Sequence, residues 1–382
     1  MEIIPLIPIV LLSWAACLWH AYCYGSLGRL VRRQTASQGN TQARQAVSII
    51  IPVHDHSAYL RNCLPLLLGQ DYEAPFEVIV VDQQSSDETL SLLEDLEQAY
   101  PHLLHTLCPA SARDISMQRL ALTLGVRLAQ YDWVVFLQAG CQPADAHWLS
   151  AFTAPFDEQS DAVLGISVLE PSGRWRVRCM QFHRLWHQMM WLPSRQRTAP
   201  FHGDPACLAY RRSLFFQHQG FASSALLTSG AEALLLNHNV PAARCAVSIA
   251  RDAILRQKAP HPRVWTRERT FFVETRHHQH HLLGTRLRYA ARLLAPPLFL
   301  LSGVLLCWLS WPMWQVTAAV VALWFILALA RQYSFHLTTQ ALGLTAYIFT
   351  LPLLRHRIPR WDIASWLRWR STDKRTFRRK FV

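Results

Sequence analysis

The chain has 382 residues, of which 51% are hydrophobic, and its formal net charge at pH 7 is +13. This length leaves room for one sizeable domain with additional segments. Positive charge attracts anionic lipid and nucleic acid. No zinc, helix-turn-helix or stacking-aromatic signature accompanies the charge, so we expect a lipid bilayer and no nucleic acid as a partner. The nine cysteines form no Cys-Xaa-Xaa-Cys pair, which argues against a disulfide framework or a zinc site and fits a reducing compartment.

The first apolar run, Ile3 to Tyr24, is long enough to cross a bilayer. Basic residues follow it at Arg29, Arg32 and Arg33, and none precedes it. A signal peptide would have a basic start and a small-residue cleavage motif, and both are missing. We therefore predict that residues 1–24 form an uncleaved transmembrane anchor whose following segment is cytoplasmic. Residues 25–46 then form a basic flank and a polar linker.

The soluble part, residues 47–260, alternates between strand-like and helix-like patterns. Its predicted strands are Val47–Val53, Phe76–Val81, Leu103–Leu107 and Asp132–Leu137. Predicted helices lie between them, and the one before the third strand opens with a capping box of Ser85 and Glu88. This alternation predicts an α/β fold with a parallel sheet covered on both faces.

Two polar residues immediately follow predicted strands of this sheet, namely Asp82 and Gln138. Ligands of such sheets bind beyond the carboxyl ends of the strands. Both side chains are therefore expected to face a ligand crevice. For Asp82, an ordinary turn residue before a helix is an equally good interpretation.

The C-terminal third carries a second group of apolar runs. Residues 261–292 are basic and predict an interfacial segment, and residues 293–330 predict a transmembrane helical hairpin whose two runs are joined by Pro312 and Met313. In residues 331–382, a weaker run, Leu337–Leu354, is followed by a basic tail. A crossing by this run would place the tail outside, so an interfacial or re-entrant segment is favoured over a third span.

Several frames, in this order and spacing, carry a family resemblance. They are Val47-Ser-Ile-Ile-Ile-Pro-Val53, Gln70-Asp71-Tyr72, Glu77-Val-Ile-Val-Val-Asp82 with Ser85-Ser86-Asp87, Arg119-Leu-Ala-Leu-Thr-Leu-Gly125, the strand around Phe136, Leu208 to Phe216, Gly220-Phe221, and Ser229 to Ala233. Together they resemble membrane-anchored bacterial family 2 glycosyltransferases. The resemblance implies a GT-A fold, a Rossmann-like nucleotide-diphospho-sugar transferase domain, on the cytoplasmic side of the bacterial inner membrane.

The resemblance also implies roles for individual residues. Its nucleotide-binding positions correspond to Pro52, Asp82, Ser85, Asp87 and Arg119. A carboxylate base must take the proton of the acceptor hydroxyl, and Glu232 matches that position. Arg276 matches a residue on the diphosphate or acceptor side. The expected partners are a nucleotide-sugar donor, a lipid-linked or glycan acceptor, and a partner glycosyltransferase subunit.

The chain departs from the family pattern where a divalent cation, Mg²⁺ or Mn²⁺, is expected. Gln138 and Gly140 occupy the two acidic positions of the Asp-Xaa-Asp metal motif, so no metal ligand is predicted there. Other positions of the predicted site also depart from the family pattern: Gln83, Ala231 and Ala233 replace acids, Val273 replaces a glutamine, and Gln84 replaces a glycine. The sequence therefore supports two hypotheses. The first is a glycosyltransferase acting on a membrane-associated or cell-surface glycan, and the second is an impaired pseudoglycosyltransferase that serves as a binding or scaffold subunit.

A cluster of four histidines precedes the predicted hairpin, at His277, His278, His280 and His281. A metal site is one interpretation. An interfacial basic stretch is favoured, because four histidines within five helical residues cannot all point in one direction.

Overall fold

The computed structural model describes residues 7–36, 44–109, 116–191, 207–221, 231–278, 290, 294, 297–305, 307–308, 314–344 and 351–371. The chain divides into two compact units. We call residues 33–280 and 364–382 the α/β unit, and residues 1–32 and 281–363 the helical unit.

The described residues form ten strands and at least eleven α-helices, numbered in chain order. The strands are β1 Val47–Val53, β2 Phe76–Asp82, β3 Leu103–Leu107, β4 Trp133–Leu137, β5 Cys141–Gln142, β6 Ala162–Leu164, β7 Ser167–Leu169, β8 Cys207–Arg211, β9 Cys245–Val247 and β10 Leu255–Gln257. The helices are α1 Ile7–Ala36, α2 Ser57–Leu68, α3 Thr89–Ala99, α4 Met117–Leu128, α5 Trp148–Thr153, α6 Trp175–Trp191, α7 Arg212–Gln217, α8 Ala231–Asn239, α9 Pro262–His278, α10 Trp314–Ala341 and α11 Leu351–Ser371.

The α/β unit contains a seven-stranded sheet in the order β3-β2-β1-β4-β8-β6-β9. Its first four strands are parallel, as the alternating pattern predicts. Beyond these four predicted strands the sheet is mixed, because β8 runs antiparallel to both β4 and β6. A second sheet of three short strands has the order β5-β10-β7. Three residues separate its first strand from β4, beside the sheet edge where a ligand crevice is expected.

The main core lies on one face of the large sheet. Alternate residues of β1 and β4, such as Ile49 and Val135, point into it and meet aromatic residues of α5. On the other face, α4 lies very close to β1. A side chain added at Gly125 would come within 2.4 Å of Ile50, so only glycine allows α4 this close approach.

The sequence predicts most element types correctly and some ends incorrectly. Asp82 is the last residue of β2 rather than the residue after it. The predicted capping box is wrong, because α3 begins at Thr89 and the backbone N–H of Thr89 donates to Asp87. Helix α2 contains Pro65 and continues through it to Leu68. The predicted run Leu337–Leu354 is also not one segment, because α10 continues to Ala341 and α11 begins at Leu351.

The helical unit is held together by close packing between helices. A side chain added at Gly28 of α1 would lie 2.8 Å from Thr338 of α10. The ring of Trp324 stacks on that of Phe299 with centroids 5.0 Å apart, and its Nε1 donates to the Phe299 carbonyl. The predicted transmembrane anchor and hairpin are not supported, because within the described residues no helix combines the length and apolar character that a membrane crossing needs.

Candidate functional site: a carboxylate crevice at the sheet edge

Asp82 lies buried at the carboxyl end of β2, directly beside Val53 at the end of β1. Its Oδ1 accepts two hydrogen bonds from Ser85, one from the backbone N–H at 3.1 Å and one from the hydroxyl at 2.5 Å. Its Oδ2 is buried and has no hydrogen-bond partner among the described residues. Burial and the nearby Asp82 charge together raise the pKa of the Cys108 thiol to about 11. The sheet edge therefore carries a hydrogen-bond acceptor that a donor group of a ligand could satisfy.

Two loops that follow β1 and β2 hold this edge together. Asp55 accepts a hydrogen bond from the backbone N–H of Ser86 at 2.7 Å, and this bond lowers the pKa of the Asp55 carboxyl. Asp87 accepts from the backbone N–H of Ser57, at the start of α2, and from Thr89. The Thr89 hydroxyl bond is the main reason why the pKa of Asp87 lies below its ordinary value. Asp87 thus joins the starts of two helices.

The backbone of these loops adopts conformations that side chains disfavour. Asp55 has a φ of 51° and Gln84 a φ of 61°. Gln84 stands where the family pattern has a glycine, and the loop keeps the left-handed conformation that glycine adopts freely. Strain of this kind persists only where the surrounding structure fixes it, as at ligand sites.

The degenerate metal motif follows β4. Gln138 is half-buried, and its carbonyl accepts from Cys141 N–H at the turn that leads into β5. Gly140 has a φ of 105°, a conformation rare for residues with a side chain. Mg²⁺ and Mn²⁺ prefer anionic oxygen ligands. Neither residue supplies one, and the backbone at Gly140 also disfavours an acidic side chain. The motif of this chain therefore does not fit the metal that the family pattern implies.

The other predicted nucleotide residues are distributed around the same four strands. Pro52 is half-buried in β1 and pairs in register with Val81 of β2. Arg119 is buried in α4, the helix that packs on β1 and β2. Arg276 belongs to α9, but its side chain lies outside the described residues. The same holds for the side chains of His277 and His278, while residues 279–289 are not described at all.

Glu232 lies in the first turn of α8 and is almost fully buried. Burial raises the pKa of its carboxyl from 4.5 to about 7, and only a hydrogen bond from its own backbone N–H opposes the shift. The Glu232 charge also contributes to the raised pKa of the buried Tyr210 phenol. A carboxyl group with a pKa near neutrality suits general base catalysis.

Two features of α6 were not predicted from the sequence. His183 and His187 are buried, and their Nε2 atoms are 3.1 Å apart. Their rings pack against Trp265 and Phe272 of α9, and imidazole nitrogens can bind transition metals. The spacing of four residues places them on one face of a helix and is the signal that could have revealed them. The second feature is Arg184, whose guanidinium donates to Ser167 of β7 and Gln257 of β10. No sequence motif indicates it.

Comparison with known proteins finds matches to part of the chain. Residues 48–217 match the family model described as Glycosyl transferase family 2. The chain resembles family 2 glycosyltransferases. The matched segment contains the family-like loops, Asp82 and the degenerate metal motif, but it ends before Glu232 and Arg276.

Individual proteins match the chain over different lengths. The chain is 31% identical over 119 residues to chondroitin synthase from Pasteurella multocida, a match that covers 31% of this chain and 12% of that protein. The mannosyltransferase PcManGT from Pyrobaculum calidifontis, solved with GDP-Man and Mn²⁺, is 16% identical, with a TM-score of 0.52 over 94% of this chain and 99% of that one. TarS 1-349 from S. aureus is 17% identical over 87% of this chain and 91% of its own, with a TM-score of 0.42. The similarity to PcManGT establishes a fold shared with a GT-A-like glycosyltransferase.

Proposed function

We propose that this chain transfers a sugar from a nucleotide-sugar donor to a membrane-associated or cell-surface glycan. The observation that carries the proposal is the buried Oδ2 of Asp82, without a partner among the described residues, at the carboxyl end of β2. Ligands of α/β sheets bind at this edge. A base N–H or a ribose hydroxyl of the donor would satisfy that oxygen, and the Ser85 bonds would hold the carboxylate in position.

Glu232 is the proposed base of the transfer. Its carboxylate would take the proton from an acceptor hydroxyl as the hydroxyl oxygen forms a bond to the anomeric carbon of the donor sugar. The bond from that carbon to the diphosphate breaks, and the nucleoside diphosphate leaves with increased negative charge. Basic side chains, with Arg276 as the proposed residue, would stabilise that charge. A burial-raised pKa of about 7 lets Glu232 hold and release a proton near neutral pH.

The donor and the location are also proposals. A nucleotide-sugar donor is supported by the family match and by PcManGT, which was solved with GDP-Man. Attachment to an anionic membrane surface on the cytoplasmic side is supported by the net charge of +13. Fractionation of cells with and without high salt tests this membrane association. A partner glycosyltransferase subunit is also proposed, and it would position the acceptor.

The alternative is a pseudoglycosyltransferase that binds nucleotide or glycan without turnover. It is favoured by one specific observation, the absence of any carboxylate at Gln138 and Gly140. The test measures nucleoside diphosphate release by the full-length chain from a panel of UDP- and GDP-sugars, with an acceptor glycan. Release that disappears in Glu232→Gln but persists in Glu94→Gln, an exposed control on α3, supports the transferase. Donor binding without release, equal in all three proteins, supports the alternative instead.

A further inference from the structure

One residue, Gln257, lies between Arg184 and the degenerate metal motif. A side chain added at Gly140 would lie 3.4 Å from Nε2 of Gln257. The Oε1 of the same amide accepts a hydrogen bond from Nη1 of Arg184 at 2.5 Å. One side-chain amide therefore separates the guanidinium from the position where the family pattern has its second metal-binding acid.

The small sheet holds Arg184 in this place. Gln257 of β10 pairs with Cys141 of β5, the residue after Gly140. On its other side β10 pairs with β7, whose Ser167 hydroxyl accepts a second bond from Nη1 of Arg184 at 3.0 Å.

Helix α6 is itself fixed to this sheet on both sides of Arg184. Gln188 donates to the Ser167 carbonyl at 2.8 Å, and Gln181 donates to the Leu169 carbonyl at 3.2 Å. The guanidinium therefore sits on a rigid element, as a binding site that must fix its ligand requires.

The charge of Arg184 is not balanced by the groups that hold it. Both of its hydrogen-bond acceptors, Ser167 and Gln257, are neutral. Among the described residues, no carboxylate lies within ion-pair distance of Arg184. The side chain is half-buried, and a partly buried cation gains from an anionic partner. Arginine suits phosphate in particular, because its planar fork donates two parallel hydrogen bonds to phosphate oxygens.

We propose that Arg184 binds the diphosphate of the donor, at the position where Gln138 and Gly140 provide no metal ligand. This inference rests on the proposed function, since it needs a nucleoside diphosphate at the sheet edge. In the family pattern, a cation held by two carboxylates neutralises the phosphate charge. Here the guanidinium neutralises it instead, and it stabilises the same charge as it grows on the leaving group. Binding of nucleoside diphosphate then needs no divalent cation.

A merely structural role would tie α6 to β7 and β10 and would affect every ligand equally. Calorimetry on the full-length chain separates the two roles by comparing UDP and GDP with uridine and guanosine, in the presence of EDTA. We expect Arg184→Gln to weaken diphosphate binding by about tenfold or more, the value of a charged hydrogen bond, and to leave nucleoside binding unchanged. Arg176→Gln, which removes an exposed arginine from the same helix, is the matched control and leaves both affinities unchanged.

A second variant covers the case in which Arg184→Gln does not fold. Gln257→Glu keeps the shape of its side chain and places a carboxylate on Arg184, so diphosphate affinity again falls by about tenfold while nucleoside affinity holds. Equal diphosphate binding by wild type and by the folded variants overturns the role of Arg184 and leaves the proposed function standing. If neither nucleosides nor diphosphates bind the wild-type chain, both proposals fail. Tighter diphosphate binding with Mn²⁺ than with EDTA also overturns the inference.

Discussion

Ser85 directs both of its donors, the backbone N–H and the hydroxyl, to one oxygen of Asp82, and the other oxygen, Oδ2, is buried without a partner among the described residues. A structural turn would normally satisfy both oxygens of a buried carboxylate, because an unsatisfied acceptor costs free energy. The arrangement therefore favours a ligand-binding aspartate over an ordinary turn residue. The sequence alone left these two interpretations equal.

The first prediction concerns Asp82→Asn. The amide keeps the shape of the carboxylate and can still accept from Ser85, but it loses the charge, so a bound nucleoside loses a charge-assisted hydrogen bond. We expect nucleoside affinity to fall by about tenfold or more. Calorimetry with uridine and guanosine measures the change. Asp95→Asn, at an exposed position of α3, should bind like the wild type. Equal binding by Asp82→Asn would make Asp82 a turn residue after all.

The second prediction concerns the pH dependence of stability at Glu232. Its folded pKa of about 7 lies above the ordinary 4.5. Between these values the folded state keeps a proton that the unfolded state has lost, so stability falls as pH rises from about 4.5 to about 7 and is then level. The loss is roughly 3 kcal/mol. Glu232→Gln removes it, and its unfolding free energy relative to wild type should rise between about pH 5 and about pH 8. Chemical denaturation at both pH values checks this, and Glu94→Gln should show no such rise.

The raised pKa of Glu232 also predicts how turnover depends on pH. Only the carboxylate form of Glu232 can accept the acceptor's proton, so transfer should increase with pH through about 7 and then reach a plateau. The measurement is nucleoside diphosphate release against pH at saturating donor. A rate that is flat from about pH 5 to about pH 8 would remove Glu232 from the role of base.

The sequence predicts the Rossmann-like half of the fold well, because the buried parallel strands β1, β2 and β4 read as continuous apolar runs. It fails where order depends on distant partners. The antiparallel strand β8 looks like any apolar run, and its direction is set by pairing with β4 and β6. The three-stranded sheet has strands of two or three residues, too short for a pattern.

The residues of the candidate site could likewise be predicted only in part from the sequence. Asp82 and Gly140 could be predicted, because each stands at a fixed offset from a recognisable strand. Arg184 could not. Its partners Ser167 and Gln257 are remote in sequence and are brought together only by the pairing of β7 with β10.

The fourth prediction tests the loop that follows β2. Gln84 has a φ of 61°, a region that β-branched side chains avoid most strongly. We expect Gln84→Val to lower the free energy of unfolding by about 1–2 kcal/mol. Gln84→Gly relieves the strain but loses the bond to the Cys108 carbonyl and adds freedom to the unfolded chain, so it should stay within about 1 kcal/mol of wild type. Denaturant titration of the three proteins measures both changes. A Val variant as stable as the Gly variant would show that the loop is not strained.

The last prediction concerns restoring the metal motif. Gln138→Asp adds a carboxylate at a half-buried position with ordinary backbone, and it should fold like wild type. Gly140→Asp forces a side chain into a φ of 105° and against Gln257, so it should lower the free energy of unfolding by about 1–3 kcal/mol. Gly173→Asp is the matched control, because an added side chain there meets nothing within 4 Å.

The metal response of the same variants completes the test. A hard cation needs several anionic oxygens, so one carboxylate at position 138 is too few, and the strained backbone keeps a second at position 140 from the required geometry. The double variant Gln138→Asp with Gly140→Asp should therefore show no gain in UDP or GDP affinity when Mn²⁺ is added. Calorimetry with and without Mn²⁺ measures this. A gain of about tenfold in affinity would mean that the backbone at Gly140 adapts to an acidic residue. The wild-type chain would then fail to bind the metal only because it lacks acidic side chains, and not because of its backbone conformation.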